Sequence, residues 1–550
     1  MKYLVVGGVA AGTKAAAKIK REDRSADVLI VTKGRDISYA GCGLPYYVGG
    51  GIATREALIV NSPTSFTGLT GVEVRTGHEA VALDAEAHTV TVRPDDSPEY
   101  TEPYDKLVIA TGAAPFVPPV PGTELEGVLT LRTPDDAVAI RAQAEKHPDG
   151  KAVVCGAGFI GLEVAENLRS RGMDVTVIDA AEQIAPNAFD REMAAYAVRR
   201  IEATGIRVLT STRLLGISGD GRAAAVETDA GPLDADLVVI AIGVRPATGW
   251  LGGSGIELER GLVKVDGNMR TNLPDVYAAG DCTLVANGIT GAPQWAAMGS
   301  TANLAARALA LNLTDPHAAV AAPATLGTGV VRLGPGIDAG RTGLTESAAH
   351  AAGYKTETAV AVVDDRAHYY PGASSVVVKL VAEAAAGERG HRLLGVQAVG
   401  GGAIDKIVDV VALAIHAGLA VEDLNLVDFA YAPPFSTAIH PLVTACYVLE
   451  NKLTGRFDTF TPAQYAAGEA DGYTVVDVQP APAVPGAEWV DLARVTEGLD
   501  GHAPDERLLL VCAKGKRGYL LQNRLKAAGY TRTRVLEGGM TFNAIRQAKP

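Results

Sequence analysis

The chain is short of cysteine, of aromatic residues, of net positive charge and of long apolar runs, and each shortage excludes a class of protein. Five cysteines among 550 residues, at positions 42, 155, 282, 446 and 512, are odd in number and far apart. That spacing suits neither a disulfide framework nor a zinc site, so no metal is expected and the thiols imply a reducing, cytoplasmic setting. Lysine and arginine total 50 against 63 acidic residues, a formal charge of −13, which argues against nucleic acid as a partner. An anionic ligand then depends on a local basic patch. No stretch approaches the ~18 uninterrupted apolar residues of a membrane span, so no membrane role is expected. The opening MKYLVVGGVAAGTKAAAKIK has the composition of a signal peptide, yet it parses better as strand, glycine turn and helix.

Glycine, by contrast, is plentiful at 62 residues, and its turns organise the chain. A short apolar strand at 2–6 runs into Gly7-Gly8-Val9-Ala10-Ala11-Gly12, an alanine-rich helix and a second strand at 27–32. This is the opening of a dinucleotide-binding βαβ unit, in which glycines admit a pyrophosphate and the helix start meets its charge. It departs from the usual pattern twice: Val9 stands for the second glycine, and Thr32 for the acid that holds a ribose. The second copy is complete. Strand 151–155 leads into Gly156-Ala157-Gly158-Phe159-Ile160-Gly161, a helix, strand 174–178 and Asp179, placed to accept from an adenosine 2′-hydroxyl. Ala180-Ala181-Glu182 offers no cation for a 2′-phosphate, which favours NADH over NADPH.

At this length three or four domains are expected. The second βαβ unit is read as inserted within the first, with the return marked by a strand ending in Gly280-Asp281. Between the two glycine turns lies Ser38-Tyr39-Ala40-Gly41-Cys42-Gly43-Leu44-Pro45-Tyr46-Tyr47. Cys42 is the candidate reacting atom: its neighbours are small, and Pro45 and the tyrosines form a stiff wall beside it. Its thiol needs a lowered pKa, which a helix start or an electron-accepting ring would supply.

These segments, with Ala110-Thr111-Gly112, Ala241-Ile242-Gly243-Val244-Arg245-Pro246 and Tyr277–Asp281, in this order, resemble the flavin-dependent pyridine nucleotide-disulfide oxidoreductases up to about residue 455. The next cysteine after Cys42 is Cys155, so the likeness is to the single-cysteine members: coenzyme A-disulfide reductases, persulfide reductases, and NADH oxidases and peroxidases. The resemblance implies an α/β fold with two nested Rossmann-like domains, FAD on 1–113 and 237–318 and NAD on 114–236. An α+β dimerisation domain at 319–455, a linker at 456–470 and a rhodanese-like α/β domain at 471–550 complete it. FAD would be held by Gly7, Gly8, Ala10, Ala11, Gly12, Thr111, Gly112, Gly280 and Asp281. The nicotinamide nucleotide would be held by Gly156, Gly158, Phe159, Ile160, Gly161, Glu163, Asp179 and Gly243, with Phe159 and Glu163 beside the nicotinamide.

In the implied homodimer, Tyr431 reaches the partner subunit's thiol, with Tyr370 as a second candidate and interface packing as the plainer alternative for both. His440-Pro441 stands where coenzyme A-type relatives have Asp-Pro, so His440 is either an acid for a leaving thiol or a structural histidine. Lys14, Lys18 and Arg21 fall on one helix face and, with Ser38 and Tyr39, would grip the phosphates of coenzyme A unless they form a solvated face. In the tail, strand 508–511 ends at Cys512-Ala513-Lys514-Gly515-Lys516-Arg517, resembling a rhodanese sulfur-carrying loop. The tail's front half departs from that resemblance: Asp477-Val478-Gln479 lacks the usual arginine, and the segment to Val484-Pro485-Gly486-Ala487 is shorter than expected. The leading expectation is NADH-dependent reduction of a coenzyme A disulfide or persulfide. Its alternatives are an NADH oxidase or peroxidase cycling a Cys42 sulfenic acid, and a flavin-bearing sensor of sulfane sulfur.

Overall fold

Lys2–Val6 is the central strand of a five-stranded parallel sheet ordered Val276–Ala278, Lys106–Ile109, Lys2–Val6, Asp27–Thr32, Glu73–Thr76. Its inner strands are apolar on both faces, as a parallel sheet covered by helices requires, and only the edge strand Glu73–Thr76 is polar; Leu4, Val5, Ile30 and Val108 are fully buried. The helix Ala10–Glu22 turns Ala11, Ala15, Ala16 and Ile19 inward and packs on Gly299–Thr314. A second parallel sheet repeats the plan around Lys151–Cys155, in the order Arg207–Leu209, Asp174–Ile178, Lys151–Cys155, Leu237–Ile240, Val128–Thr130. This corrects the boundary at 236. Leu237–Ile240 is buried throughout and fills the slot between Lys151–Cys155 and Val128–Thr130, so the inserted domain continues through 240.

The computed structural model describes residues 1–544 apart from 316, 318, 319 and 323. They form two units, Met1–Glu182 with Gly205–Thr325, and Gln183–Thr204 with Leu326–Pro550. In the second unit a five-stranded antiparallel sheet runs Gly329–Gly334, Ile337–Gly343, Leu393–Gly400, Ser375–Glu383, Thr356–Asp364. The helices Ile404–His416 and Pro441–Leu453 pack their apolar faces on it. The tail forms a parallel sheet, Thr459–Phe460, Thr533–Leu536, Leu508–Val511, Thr474–Asp477, Glu488–Trp489. The expected linker at 456–470 is therefore partly structural: Thr459 and Phe460 are a buried edge strand, two residues long and too short to show an alternating pattern. Among the described residues no helix is long and apolar enough to cross a membrane.

The excursion 183–204 belongs to the second unit because of one buried cluster. Lys379, 1% exposed, places its ammonium 3.0 Å from Asp190, 2.7 Å from Glu346 and against Glu192. Burial alone would depress this lysine's pKa, but the three carboxylates outweigh it and raise it, so the ammonium stays charged. Gln397 donates to the same Asp190 and accepts from its backbone N–H at 2.7 Å.

Lys379→Met should leave these carboxylates facing one another without a cation and destabilise the second unit by roughly 3–5 kcal/mol at neutral pH. Urea unfolding of wild type and variant checks this, and the difference should shrink as pH falls into the carboxylate range.

Candidate active site

Two glycine turns show by their geometry what they would hold. A Cβ on Gly7, at φ +116°, would lie 2.1 Å from the Ala110 carbonyl oxygen, and one on Gly12 would lie 1.8 Å from the Gly7 carbonyl oxygen. On Gly156, at φ +110°, and Gly161 the corresponding clashes are 2.3 Å with Ala241 and 1.9 Å with Gly156. Gly158, in contrast, faces open space. Neither the helix Ala10–Glu22 nor Phe159–Ser170 has a capping side chain or an acid in its first turn, so their leading N–H groups remain available to a pyrophosphate. Thr111, in the turn above the first sheet, has a buried hydroxyl with no nitrogen or oxygen partner, only the soft Cys282 thiol nearby. The donors, the missing side chains and this hydroxyl fit FAD at the first turn and a nicotinamide dinucleotide at the second. Gly243, at φ +123°, also faces open space. Asp179 accepts from the N–H groups of Ala157 at 2.7 Å and Ala181 at 2.8 Å, so this carboxylate fixes the glycine turn.

The Cys42 segment is fastened to the first turn. Ser38, in the left-handed region at φ +48°, donates its N–H to Gly8 at 2.8 Å, and Ala40 donates to Leu58 at 2.8 Å. Cys42 follows in the short turn Gly41–Gly43 and precedes the helix Leu44–Gly49. It is the one exposed cysteine; Cys155, Cys282, Cys446 and Cys512 are buried, and all five are free. Gly41 has open space where a side chain would be.

Arg132, Glu163 and Asp281, none of which the motifs single out for the thiol, act on it electrostatically. Arg132 lies 3.3 Å from Asp281, and the Tyr46 hydroxyl donates to Glu163 at 3.0 Å. Although Cys42 is exposed, its crowded surroundings desolvate it, and this first, then the carboxylates of Glu163 and Asp281, raise its pKa; Arg132 opposes them. The protein groups alone therefore do not supply the lowered pKa expected from the helix start. Glu163 is itself shifted: burial, helped by Glu166 and opposed by the Tyr46 hydrogen bond, raises its pKa from 4.5 to about 7. Arg132 follows a three-residue strand in a loop, and no local pattern in the sequence marks it.

The basic face of Lys14, Lys18 and Arg21 is only partly free, because the Lys18 ammonium is paired with Glu22 one turn on; Lys14 is half-buried and Arg21 exposed. Tyr39, half-buried, points its hydroxyl at the Arg132 carbonyl at 3.4 Å.

The remaining candidates lie in the second unit. Tyr431, 49% exposed, is hydrogen-bonded to Tyr369, which raises its pKa, and Tyr370 is 37% exposed. His440 caps the helix Pro441–Leu453, its Nδ1 accepting from Leu442 N–H at 3.2 Å, and stacks on Phe429 at 4.5 Å. Burial and Lys406 lower its pKa to about 4. A ring neutral at pH 7 and occupied as a cap tells against an acid and for the structural alternative. Cys512 is 2% exposed, part of the tail's core, and accepts from Gly515 N–H at 3.2 Å.

A model of the pyridine nucleotide-disulphide oxidoreductases matches residues 1–302, and one of their dimerisation domain matches 336–443. An NAD-dependent persulfide reductase from A. fulgidus superposes with a TM-score of 0.92 at 35% identity, covering 98% of this chain and 100% of that one. The NAD(P)H coenzyme A polysulfide/persulfide reductase of Pyrococcus horikoshii is 34% identical over 451 residues, 82% of this chain and 98% of its own. The NADH oxidase of Methanocaldococcus jannaschii is 31% identical over 456 residues, 83% of this chain and 100% of its own.

Because Glu163 titrates at about 7 when folded against 4.5 when exposed, it adds no penalty below pH 4.5 and weakens the fold as pH rises towards 7. Glu163→Gln, which keeps an acceptor for Tyr46, should match wild type near pH 5 and exceed it by up to roughly 3 kcal/mol at pH 8. Unfolding of the cofactor-free protein at both pH values measures this, and equal stability at pH 8 would contradict the shifted carboxyl.

Proposed function

This chain belongs to the pyridine nucleotide-disulphide oxidoreductases, enzymes that use FAD and a nicotinamide nucleotide, and from that premise we propose that it is an NADH-dependent reductase of coenzyme A disulfide or coenzyme A persulfide. The observation that carries this reading is the lone exposed thiol: Cys42 has no second accessible cysteine in its chain, so the substrate must bring the other sulfur. Cys42 as thiolate attacks one sulfur of the coenzyme A disulfide, forms a mixed disulfide and expels a coenzyme A thiolate. FAD, when bound, supplies a two-electron relay between NADH and sulfur. The balance is NADH + H⁺ + CoA–S–S–CoA → NAD⁺ + 2 CoA–SH, or, for the persulfide, NADH + H⁺ + CoA–S–SH → NAD⁺ + CoA–SH + H₂S.

Within this scheme each residue has a task. Arg132 favours the anionic sulfur and is itself oriented by Asp281. Glu163, in reach of the Tyr46 hydroxyl and close to the Cys42 charge, is proposed to flank the nicotinamide together with Phe159. Lys14 and Arg21, with Ser38 and Tyr39, are proposed to meet coenzyme A phosphates, Lys18 contributing less because Glu22 already neutralises it. Tyr431, supported by Tyr369, and Tyr370 are proposed to reach the partner subunit's thiol in a homodimer, in keeping with the matched dimerisation domain. The tail is proposed to be rhodanese-like, with Cys512 at the end of Leu508–Val511 carrying sulfane sulfur to coenzyme A. Five unpaired cysteines support a reducing, cytoplasmic location.

The oxidase reading has its own support in the Methanocaldococcus relative, and one experiment separates the two: NADH consumption by the FAD-loaded enzyme with oxygen, peroxide, coenzyme A disulfide and coenzyme A persulfide side by side. The sulfur acceptors should dominate, Cys42→Ser should abolish both sulfur reactions, and Cys512→Ser should spare added disulfide while impairing transfer from thiosulfate or polysulfide. Dominant turnover with oxygen or peroxide would replace this reading with the oxidase.

Asp179 beside Ala180 should keep kcat/KM for NADH at least about tenfold above that for NADPH, since its carboxylate repels a 2′-phosphate. Asp179→Ala should narrow the gap. Comparable use of both nucleotides by wild type would remove Asp179 as the discriminator.

A further inference from the structure

The loop after Cys512 is fastened on both sides to the antiparallel domain. Lys514, two residues past the cysteine, forms an ion pair with Asp364, the last residue of Thr356–Asp364. On the other side stands Glu537, 2% exposed, whose Oε2 accepts the Val360 N–H of the same strand at 3.0 Å. Its Oε1 lies 2.5 Å from the Lys452 ammonium on Pro441–Leu453 and accepts the Thr459 hydroxyl. Gly539 follows two residues later and presses on the cysteine loop: a Cβ there would lie 2.1 Å from the Cys512 carbonyl oxygen, to which Met540 N–H donates at 2.9 Å.

Asp364 is also where the next hairpin begins. Its neighbour Asp365, buried, accepts from Ser374 N–H at 2.7 Å and pairs with Arg366 at 2.8 Å, closing the segment 365–374 that exposes Tyr369 and Tyr370. Consecutive aspartates thus face opposite ways in function: Asp364 holds the tail's cysteine loop, and Asp365 shapes the tyrosine hairpin.

We propose that Asp364 and Lys514 are positioning residues that clamp the Cys512 loop to the base of the Tyr369–Tyr370 hairpin, so that order in one is transmitted to the other. The Lys514–Asp364 pair is about one-third exposed on each side, and a lone pair so exposed contributes little to overall stability. Its effect is local instead: the buried Glu537–Lys452 contact fixes the other flank, and Lys514–Asp364 is the side-chain tie from the cysteine loop itself to the strand Thr356–Asp364. Lys514 is consequently not a cation free to face the Cys512 sulfur, and Arg517 is likewise committed, donating Nε to Val478 O at 2.5 Å. The chemistry that Cys512 would carry rests on the function proposed above, whereas the clamp does not.

The test uses the full-length, FAD-loaded protein with Lys514→Met, Lys514→Arg, Asp364→Asn and the Asp364→Asn/Lys514→Met double variant, in a Cys42→Ser background for thiol labelling. Two readouts need no sulfur chemistry: amide hydrogen exchange across 365–374, and alkylation of Cys512 followed by mass spectrometry. Lys514→Met should speed both by about threefold to fivefold, although the hairpin lies far from it in sequence. Asp364→Asn should do the same, the double variant should add nothing further, and Lys514→Arg should stay near wild type by keeping the pair. Unchanged exchange across 365–374 in Lys514→Met, or equal changes in Lys514→Met and Lys514→Arg, would overturn the clamp. Absence of sulfur transfer by Cys512 in the unmutated protein would instead count only against the proposed function of the tail.

Discussion

Two close backbone approaches set the rest of the first unit. At Gly7 and again at Gly156 the strand turns into its helix so tightly that the neighbouring strand's last carbonyl lies where a Cβ would be. Only glycine fits, at φ values that other residues avoid. Because the turn is this tight, the helix start stands directly above the strand ends, and its unpaired N–H groups face the space into which the loops carrying Cys42, Thr111 and Asp281 also project. Ser38 illustrates the coupling. Its hydrogen bond to Gly8 draws the cysteine loop down onto the first turn and holds a non-glycine residue in the left-handed region.

The electrostatics around Cys42 follow from that convergence. Asp281 arrives from the end of one strand, Glu163 from the helix after the second turn, and Arg132 from the loop after the second sheet's edge strand Val128–Thr130. Two carboxylates and partial burial against one guanidinium leave the thiol harder to ionise than a free cysteine. A protein-only site of this kind guards an exposed thiol against adventitious oxidation, since thiolate character governs reactivity. Activation then falls to the groups that bind there.

In the second unit, buried charge does a different job. Lys379 with Asp190, Glu192 and Glu346, and Lys452 with Glu357 and Glu537, are ion clusters taken out of water, and such clusters add less net stability than well-packed apolar groups of the same size. They do fix partners. The first ties the excursion 183–204 to the antiparallel sheet, and the second ties the tail's Glu537 to the strand and helix it rests on. A misplaced excursion or tail would leave buried charges unpaired, which penalises alternatives more than it rewards the native arrangement.

The sequence by itself determined what depends on near neighbours: the strand, glycine turn and helix of each nucleotide-binding unit. Each of these is a local pattern, because a tight turn dictates glycine and a two-sided buried strand dictates a short apolar run. The tertiary structure decided what depends on residues far apart. It moved Leu237–Ile240 into the second sheet and drew Thr459–Phe460 into the tail's sheet. It also set Arg132 against Asp281 and gave Lys514 to Asp364. A charged side chain reads the same in sequence whether it will meet a ligand or another residue, and only folding supplies the partner, the distance and the burial that decide its charge.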